Sequence, residues 1–226
     1  MSSAKSLEHK TFHIGNVIQN ALVFNFKKCY GNTMNADSLF QTVEPLFVLL
    51  QERSIKYLLV GGIAMLQYVQ GCNTEDIDLI LSTSSLQKLS EITVTSQDED
   101  VARGTFENLQ IDFLLTRNPL FARVQRGYAT MQPFQERDIS CATVEGLLIP
   151  KLYALPSLYH QGNFARVGLY ENDIATLMHG YQPDMDALFT ELTRSLSVAD
   201  IASRQDIVTD IQPRMERFQQ GFGEPL

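Results

Sequence analysis

The sequence has few cysteines, no long apolar run and no excess of positive charge, and each absence excludes a class of protein. Cys29, Cys72 and Cys141 lie far apart and form no CxxC pair, which argues against a disulfide framework and a thiolate zinc site. The longest apolar run, around 57–65, is short and contains two glycines, so it is not a bilayer-spanning segment. No export leader is visible at the N-terminus. We therefore expect a cytoplasmic protein without a membrane partner or a disulfide-linked partner.

The charge balance is acidic, because 26 Asp plus Glu oppose 18 Lys plus Arg for a formal net charge of −8. Such a balance argues against a generic nucleic-acid coat and against binding to anionic membranes. The four histidines show no metal-ligand spacing near carboxylates, so they are assigned no role. At 226 residues, 44% of them apolar, the chain can build its own core as one domain or two small lobes.

Strands and helices alternate in the first part of the chain. Apolar residues three and four positions apart indicate helices, and short β-branched or apolar runs bounded by turn residues indicate strands. The predicted elements are a helix from 35, a strand at 56–60, a glycine turn at 61–62, helices at 63–69 and 84–92, a strand at 76–81, and a hairpin whose second arm is 109–116.

The remainder of the chain reads as mostly helical. Thr143 is a good N-cap with Glu145 in the first turn that follows it. The predicted helices cover 144–155, 171–178, 185–194 and 198–219. The sequence therefore predicts an α+β protein with three parts: an N-terminal appendage at 1–33, a sheet-containing lobe at 34–140 and a helical C-terminal lobe at 141–226.

Three acidic residues on predicted strands are candidates for chemistry. Successive side chains of a strand alternate between faces, so Asp76 and Asp78 point the same way and can share a divalent cation such as Mg²⁺. An isolated Asp-x-Asp is more often a solvated start of a strand. Asp112 lies opposite an apolar face, where its charge needs a cation, a hydrogen-bond donor or a cleft. The alternative for Asp112 is an edge strand that faces water.

A pair of glycines follows the first predicted strand directly. Gly61 and Gly62 let the backbone approach a ligand closely, and the N–H groups at the start of the next helix can hold a phosphate. The simpler alternative is a turn that merely needs glycine.

In this order, the glycine turn (59–65), the Asp-x-Asp strand (71–79) and the later acid (111–113) resemble the DNA polymerase beta-like nucleotidyltransferase superfamily. The similarity is closest to the AbiEii-type toxin nucleotidyltransferases and uncharacterised bacterial relatives, and weaker to small antibiotic nucleotidyltransferases. It implies a mixed sheet flanked by helices, and transfer of a nucleoside monophosphate from an NTP with Mg²⁺ or Mn²⁺.

The same resemblance assigns roles to individual residues. Asp76 and Asp78 would bind metal, and Asp112 would bind a second metal and help to activate the acceptor hydroxyl. Lys151, on the predicted helix 144–155, would contact the triphosphate together with Gly61 and Gly62; the alternative for Lys151 is a solvated helix lysine.

The acceptor is left open by the sequence. The resemblance to toxins implies a tRNA or protein acceptor and a cognate antitoxin, whereas a small-molecule antibiotic, or a non-catalytic nucleotide-binding or antitoxin-like module, is the alternative. Relatives often carry arginine where this chain has Cys72, which bears on nucleotide affinity and acceptor choice. A basic island, Arg117, Arg123 and Arg126, is a candidate surface for an RNA end, a nucleotide or an acidic partner, or else a solvated helix face.

Overall fold

The computed structural model describes residues 36–69, 76–107, 109–134 and 137–221. Its centre is a seven-stranded mixed sheet with the strand order β3-β4-β5-β2-β1-β7-β6. The strands are β1 Tyr57–Val60, β2 Asp76–Leu81, β3 Thr93–Gln97, β4 Val101–Phe106, β5 Leu109–Leu115, β6 Ala129–Phe134 and β7 Arg137–Ala142. The predicted appendage at 1–33 and Cys72 lie outside the described residues.

Helices flank this sheet and form the C-terminal part of the chain. They are α1 Ala36–Glu52, α2 Gly61–Met65, α3 Thr83–Leu86, α4 Pro119–Gly127, α5 Val144–His160, α6 Phe164–Tyr181, α7 Met185–Thr193 and α8 Val198–Gly221. The predicted α+β class, with a mixed sheet and a helical C-terminal region, is therefore confirmed. In the described part of the chain, no helix is both long and apolar enough to cross a membrane.

The centre of the sheet combines antiparallel and parallel pairs. Strand β2 pairs antiparallel with β1 and parallel with β5, and β4 pairs antiparallel with β5 as a hairpin. The predicted hairpin is thus confirmed, and β5 lies inside the sheet between β4 and β2. One face of β2 and β5 is fully covered, because Ile77, Leu79, Ile111 and Phe113 share that face and have no exposed surface.

Helix α5 connects the sheet to the C-terminal helices. The Thr143 side chain accepts a hydrogen bond from the Gly146 backbone N–H, as the N-cap prediction requires. The helix contacts β7 and the helices α2, α4, α6, α7 and α8. Gly146 lets it approach closely, because a Cβ there would lie 2.9 Å from Tyr128.

Several predicted boundaries differ from the structure. The predicted helix at 84–92 is only the single turn α3. Leu89 and Ile92 follow it in turns, and their side chains are buried. The predicted helix at 63–69 begins earlier, at Gly61, and ends at Met65. The division between residues 140 and 141 falls inside strand β7, whereas the first C-terminal helix begins at Val144.

Candidate active site

The sheet register brings the predicted acids together. Asp78 on β2 pairs with Val60 of β1 on one side and with Asp112 of β5 on the other. Neighbouring strands lie about 4.8 Å apart, so Asp78 and Asp112 are direct cross-strand neighbours. Asp76 lies two residues before Asp78 on the same strand and therefore shares its face. Asp112 therefore stands on the strand next to the Asp-x-Asp strand.

Gly61, the first residue of α2 after the end of β1, lies in close contact with the Asp78 carboxylate. Its φ of 68° is in the left-handed region, and a Cβ on it would lie 1.7 Å from Asp78 Oδ2. Only glycine combines that backbone conformation with that space. The geometry therefore assigns Gly61 the task of making room for Asp78. Phosphate binding by Gly61 and Gly62 stays a prediction.

The Asp78 carboxylate is partly buried, and its surroundings disfavour the ionised form. Burial, followed by the charge of Asp76, raises its pKa to about 7, although the cations of Lys151 and Arg166 act in the opposite direction. None of the described residues donates a hydrogen bond to it. A bound cation would relieve both the desolvation and the repulsion from Asp76.

Asp112 is held by an arginine that the sequence reading does not assign. Arg103 on β4 pairs in register with Asp112, and its Nε and Nη2 donate to Oδ1 at 2.7 Å and Oδ2 at 2.8 Å. Arg166 Nη2 lies 3.7 Å from the same Oδ2. Asp112 is only 5% exposed and belongs to an interior strand, so the edge-strand alternative for it is wrong. Its need for a cation is met within the protein.

Lys151 is buried on α5 rather than solvated, so the alternative of a surface lysine is wrong. Its Nζ lies 2.7 Å from Asp173 Oδ2 on α6 and 4.6 Å from the centre of the Tyr170 ring. Its charge acts on Asp78, which places it beside the acids. Contact with a triphosphate stays a prediction, and such a contact would compete with the Asp173 pair.

The donors available for a metal ion are fewer than the sequence predicts. Within the described residues, no group of three or more His, Cys, Asp or Glu side chains is arranged to hold a metal ion. Asp76 and Asp78 nevertheless suit a hard cation such as Mg²⁺, which takes carboxylate oxygens and completes its shell with phosphate oxygens and water. The fit is therefore to a two-carboxylate site, and the metal role of all three acids stays a prediction.

The basic island makes contacts within the protein. Arg117 pairs with Glu99 at 3.0 Å, and Arg123 pairs with Glu191 at 2.5 Å. Arg126 donates from Nε to the Ala122 carbonyl oxygen at 3.1 Å. These contacts account for the three guanidiniums as parts of the folded surface, and nothing in them favours a partner.

Comparison with known proteins gives similarities of fold alone. No family model matches the chain, and no curated protein matches its sequence. An antigenic nucleotidyltransferase-like protein from Paracoccidioides brasiliensis is 18% identical over 76% of this chain and 91% of that chain, with a TM-score of 0.46.

Two structures of another protein are also similar to this chain. The solution structure of the antibiotic-resistance factor ANT(2'')-Ia is 11% identical over 80% of this chain and 96% of that chain, with a TM-score of 0.47. A crystal structure of ANT(2'')-Ia in complex with adenylyl-2''-tobramycin is 12% identical over 73% of this chain and 97% of that chain, with a TM-score of 0.45.

Proposed function

We propose that this protein is a metal-dependent nucleotidyltransferase that moves a nucleoside monophosphate from an NTP to an acceptor hydroxyl. The observation that carries the proposal is the position of Asp76 and Asp78 beside Asp112. Gly61, which has no side chain, leaves the space that the Asp78 carboxylate occupies. A structural ion-pair network alone does not explain why Asp76 and Asp78 share one face while Asp78 receives no hydrogen bond from the described residues.

The proposed reaction is a displacement at the α-phosphorus of the NTP. The acceptor oxygen forms a bond to the α-phosphorus, the bond from that phosphorus to the bridging oxygen breaks, and pyrophosphate leaves. The acceptor proton passes toward the Asp112 carboxylate, directly or through water. Because Arg103 donates to both oxygens of Asp112, this carboxylate is held in place to accept a hydrogen bond from the hydroxyl and to orient it.

Mg²⁺ or Mn²⁺ bound to Asp76 and Asp78 would neutralise charge on the phosphates and on the departing pyrophosphate. Lys151 would supply a further positive charge near these acids. Its Nζ would leave the ion pair with Asp173 and bind phosphate oxygens instead. Gly61 and Gly62 form the adjoining backbone at the start of α2 and would hold the phosphates.

An assay with α-³²P-labelled NTPs tests the proposal. The protein is incubated with each NTP, Mg²⁺ or Mn²⁺, and total RNA or cell lysate, and label transfer is followed on gels and by thin-layer chromatography. Asp78→Asn is expected to lower transfer at least about 100-fold, because a metal-binding carboxylate is lost. The control is Asp206→Asn, an exposed carboxylate on α8. Equal activity of Asp78→Asn and the unmodified protein would contradict the proposal.

The labelled product also identifies the acceptor. We propose a tRNA or a protein as the acceptor, as in the toxin-like interpretation, with a cognate antitoxin as partner. Label in RNA or protein supports that choice, and label in a small molecule favours the antibiotic-type alternative. If no fraction is labelled with any NTP, while the protein still binds nucleotides, it is a non-catalytic binding module.

A further inference from the structure

The ion pair between Arg103 and Asp112 is built into the sheet. The two residues are Cα partners in the β4–β5 ladder, and Asp112 is in turn the Cα partner of Asp78. The backbone therefore brings the guanidinium to the carboxylate without any contribution from loops. A loop rearrangement that leaves this register unchanged keeps the two residues opposite each other.

The contact occupies both oxygens of the carboxylate. Arg103 approaches through Nε and Nη2 in a two-point arrangement, which is the strongest form of an arginine–carboxylate pair. Arg166 adds a second guanidinium at 3.7 Å from Oδ2. A divalent cation on Asp112 would have to lie within a few ångströms of these two positive groups.

We infer that Arg103 takes the place of a second divalent cation at Asp112, so that this site binds nucleotide with one metal ion, held by Asp76 and Asp78. The inference rests on the function proposed above and deepens it. Arg103 is then a positioning residue: it holds the Asp112 carboxylate in place beside Asp78, and it keeps metal away from that carboxylate. The Arg103 side chain is 44% exposed.

Counting bound Mn²⁺ tests the inference without any need for turnover. The protein is dialysed to equilibrium against Mn²⁺ and a saturating α,β-methylene analogue of ATP, CTP, GTP or UTP, and free Mn²⁺ is measured by electron paramagnetic resonance. We expect one Mn²⁺ per chain in the unmodified protein, still one in Asp112→Asn, and none in Asp78→Asn. Two Mn²⁺ in the unmodified protein and one in Asp112→Asn would overturn the inference.

Variants of Arg103 supply the reciprocal test. Arg103→Ala, checked for folding by circular dichroism, is expected to bind a second Mn²⁺ that is lost again in the double variant Arg103→Ala/Asp112→Asn. Arg103→Lys keeps the charge and should bind one. The control Arg117→Ala removes an arginine whose pair with Glu99 is mostly exposed, and it should also bind one.

The result also distinguishes the two proposals. If the unmodified protein binds no Mn²⁺ with any analogue, the metal site of the proposed function is wrong and the inference falls with it. If it binds two, the proposed function stands and only the role of Arg103 is wrong. Should Arg103→Ala fail to fold, the counts for the unmodified protein and Asp112→Asn still decide.

Discussion

Gly61 is the residue on which the position of Asp78 depends most directly. Gly61→Ala forces a Cβ to within 1.7 Å of the Asp78 Oδ2 position and places alanine at a φ of 68°. The left-handed conformation alone costs about 1–2 kcal/mol for a residue with a Cβ. We expect the free energy of unfolding to fall by at least about that amount, and Mn²⁺ binding to weaken more than tenfold because Asp78 is displaced. Urea unfolding and Mn²⁺ titration measure the two effects.

The matched control for this change is Gly168→Ala. Gly168 lies in helix α6, and a Cβ there would meet nothing within 4 Å. Alanine is a better helix former than glycine, so this variant is expected to be stabilised by up to about 1 kcal/mol with Mn²⁺ binding unchanged. If Gly61→Ala behaved like its control, the close approach of Asp78 to the Gly61 backbone would not exist in the protein.

The shared face of Asp76 and Asp78 could be predicted from the sequence, whereas the close approach of Gly61 to Asp78 and the cation beside Asp112 could not. The alternation of strand side chains places Asp76 and Asp78 on one face, and the apolar neighbours of Asp112 show that its charge needs a partner. Arg103 stands in a hairpin arm whose register the sequence alone does not determine. A shift by one residue would turn the Arg103 side chain to the other face of the sheet.

At the scale of single elements, the end of helix α1 offers a test of stability. Ser54 has a φ of 51°, and the N–H groups of Ser54 and Ile55 donate to the carbonyl oxygens of Gln51 and Leu50. This is a Schellman motif, whose left-handed position usually holds glycine. Ser54→Gly is therefore expected to raise the free energy of unfolding by about 0.5–1 kcal/mol, measured by urea unfolding.

A serine-to-glycine substitution inside a helix should change the free energy of unfolding in the opposite direction. Ser203 is an exposed interior residue of α8, and Ser203→Gly is expected to lower the free energy of unfolding by roughly 0.5 kcal/mol, because glycine is a weaker helix former than serine. A loss of stability in both variants would contradict the assignment of Ser54 to the left-handed position.

The elements that the sequence predicts well are those with one buried face. Helix α1 buries Val43, Leu46 and Leu50 at helical spacing, and its prediction is confirmed. Strand β3 is exposed at all of its positions, so it carries no alternation that could reveal it. The predicted helix at 84–92 fails because Leu86, Leu89 and Ile92 recur every three residues, which consecutive turns satisfy as well as a helix.

At the scale of the whole molecule, the acidic balance is partly explained by the cluster at the sheet. The carboxylates of Asp76, Asp78 and Asp112 lie together, and the guanidiniums of Arg103 and Arg166 both lie beside Asp112. The net charge of −8 therefore does not by itself oppose a triphosphate at this position. It still argues against a long groove for nucleic acid, because such a groove needs a continuous basic surface.

A buried arginine of the C-terminal helix α8 donates hydrogen bonds to the backbone of helix α5. Pro156 in α5 has no N–H, so the carbonyl of Leu152, four residues earlier, lacks its helical donor. Arg204 of α8 supplies that donor, with Nε 3.0 Å from the Leu152 oxygen and Nη2 2.9 Å from the Tyr153 oxygen. Because Lys151 precedes these residues directly, this contact also supports the helix that carries Lys151.

Arg204→Met is therefore expected to lower the free energy of unfolding by about 2–3 kcal/mol, because it leaves the Leu152 carbonyl without a partner in a buried position. Pro156→Ala restores the helical donor, so adding it to Arg204→Met should recover part of the loss. The control Arg194→Met removes an arginine that is 62% exposed and should cost less than about 1 kcal/mol. Urea unfolding of the unmodified protein, Arg204→Met, Pro156→Ala and the double variant gives the coupling energy. Strictly additive effects of Pro156→Ala and Arg204→Met would contradict the exchange of one donor for the other.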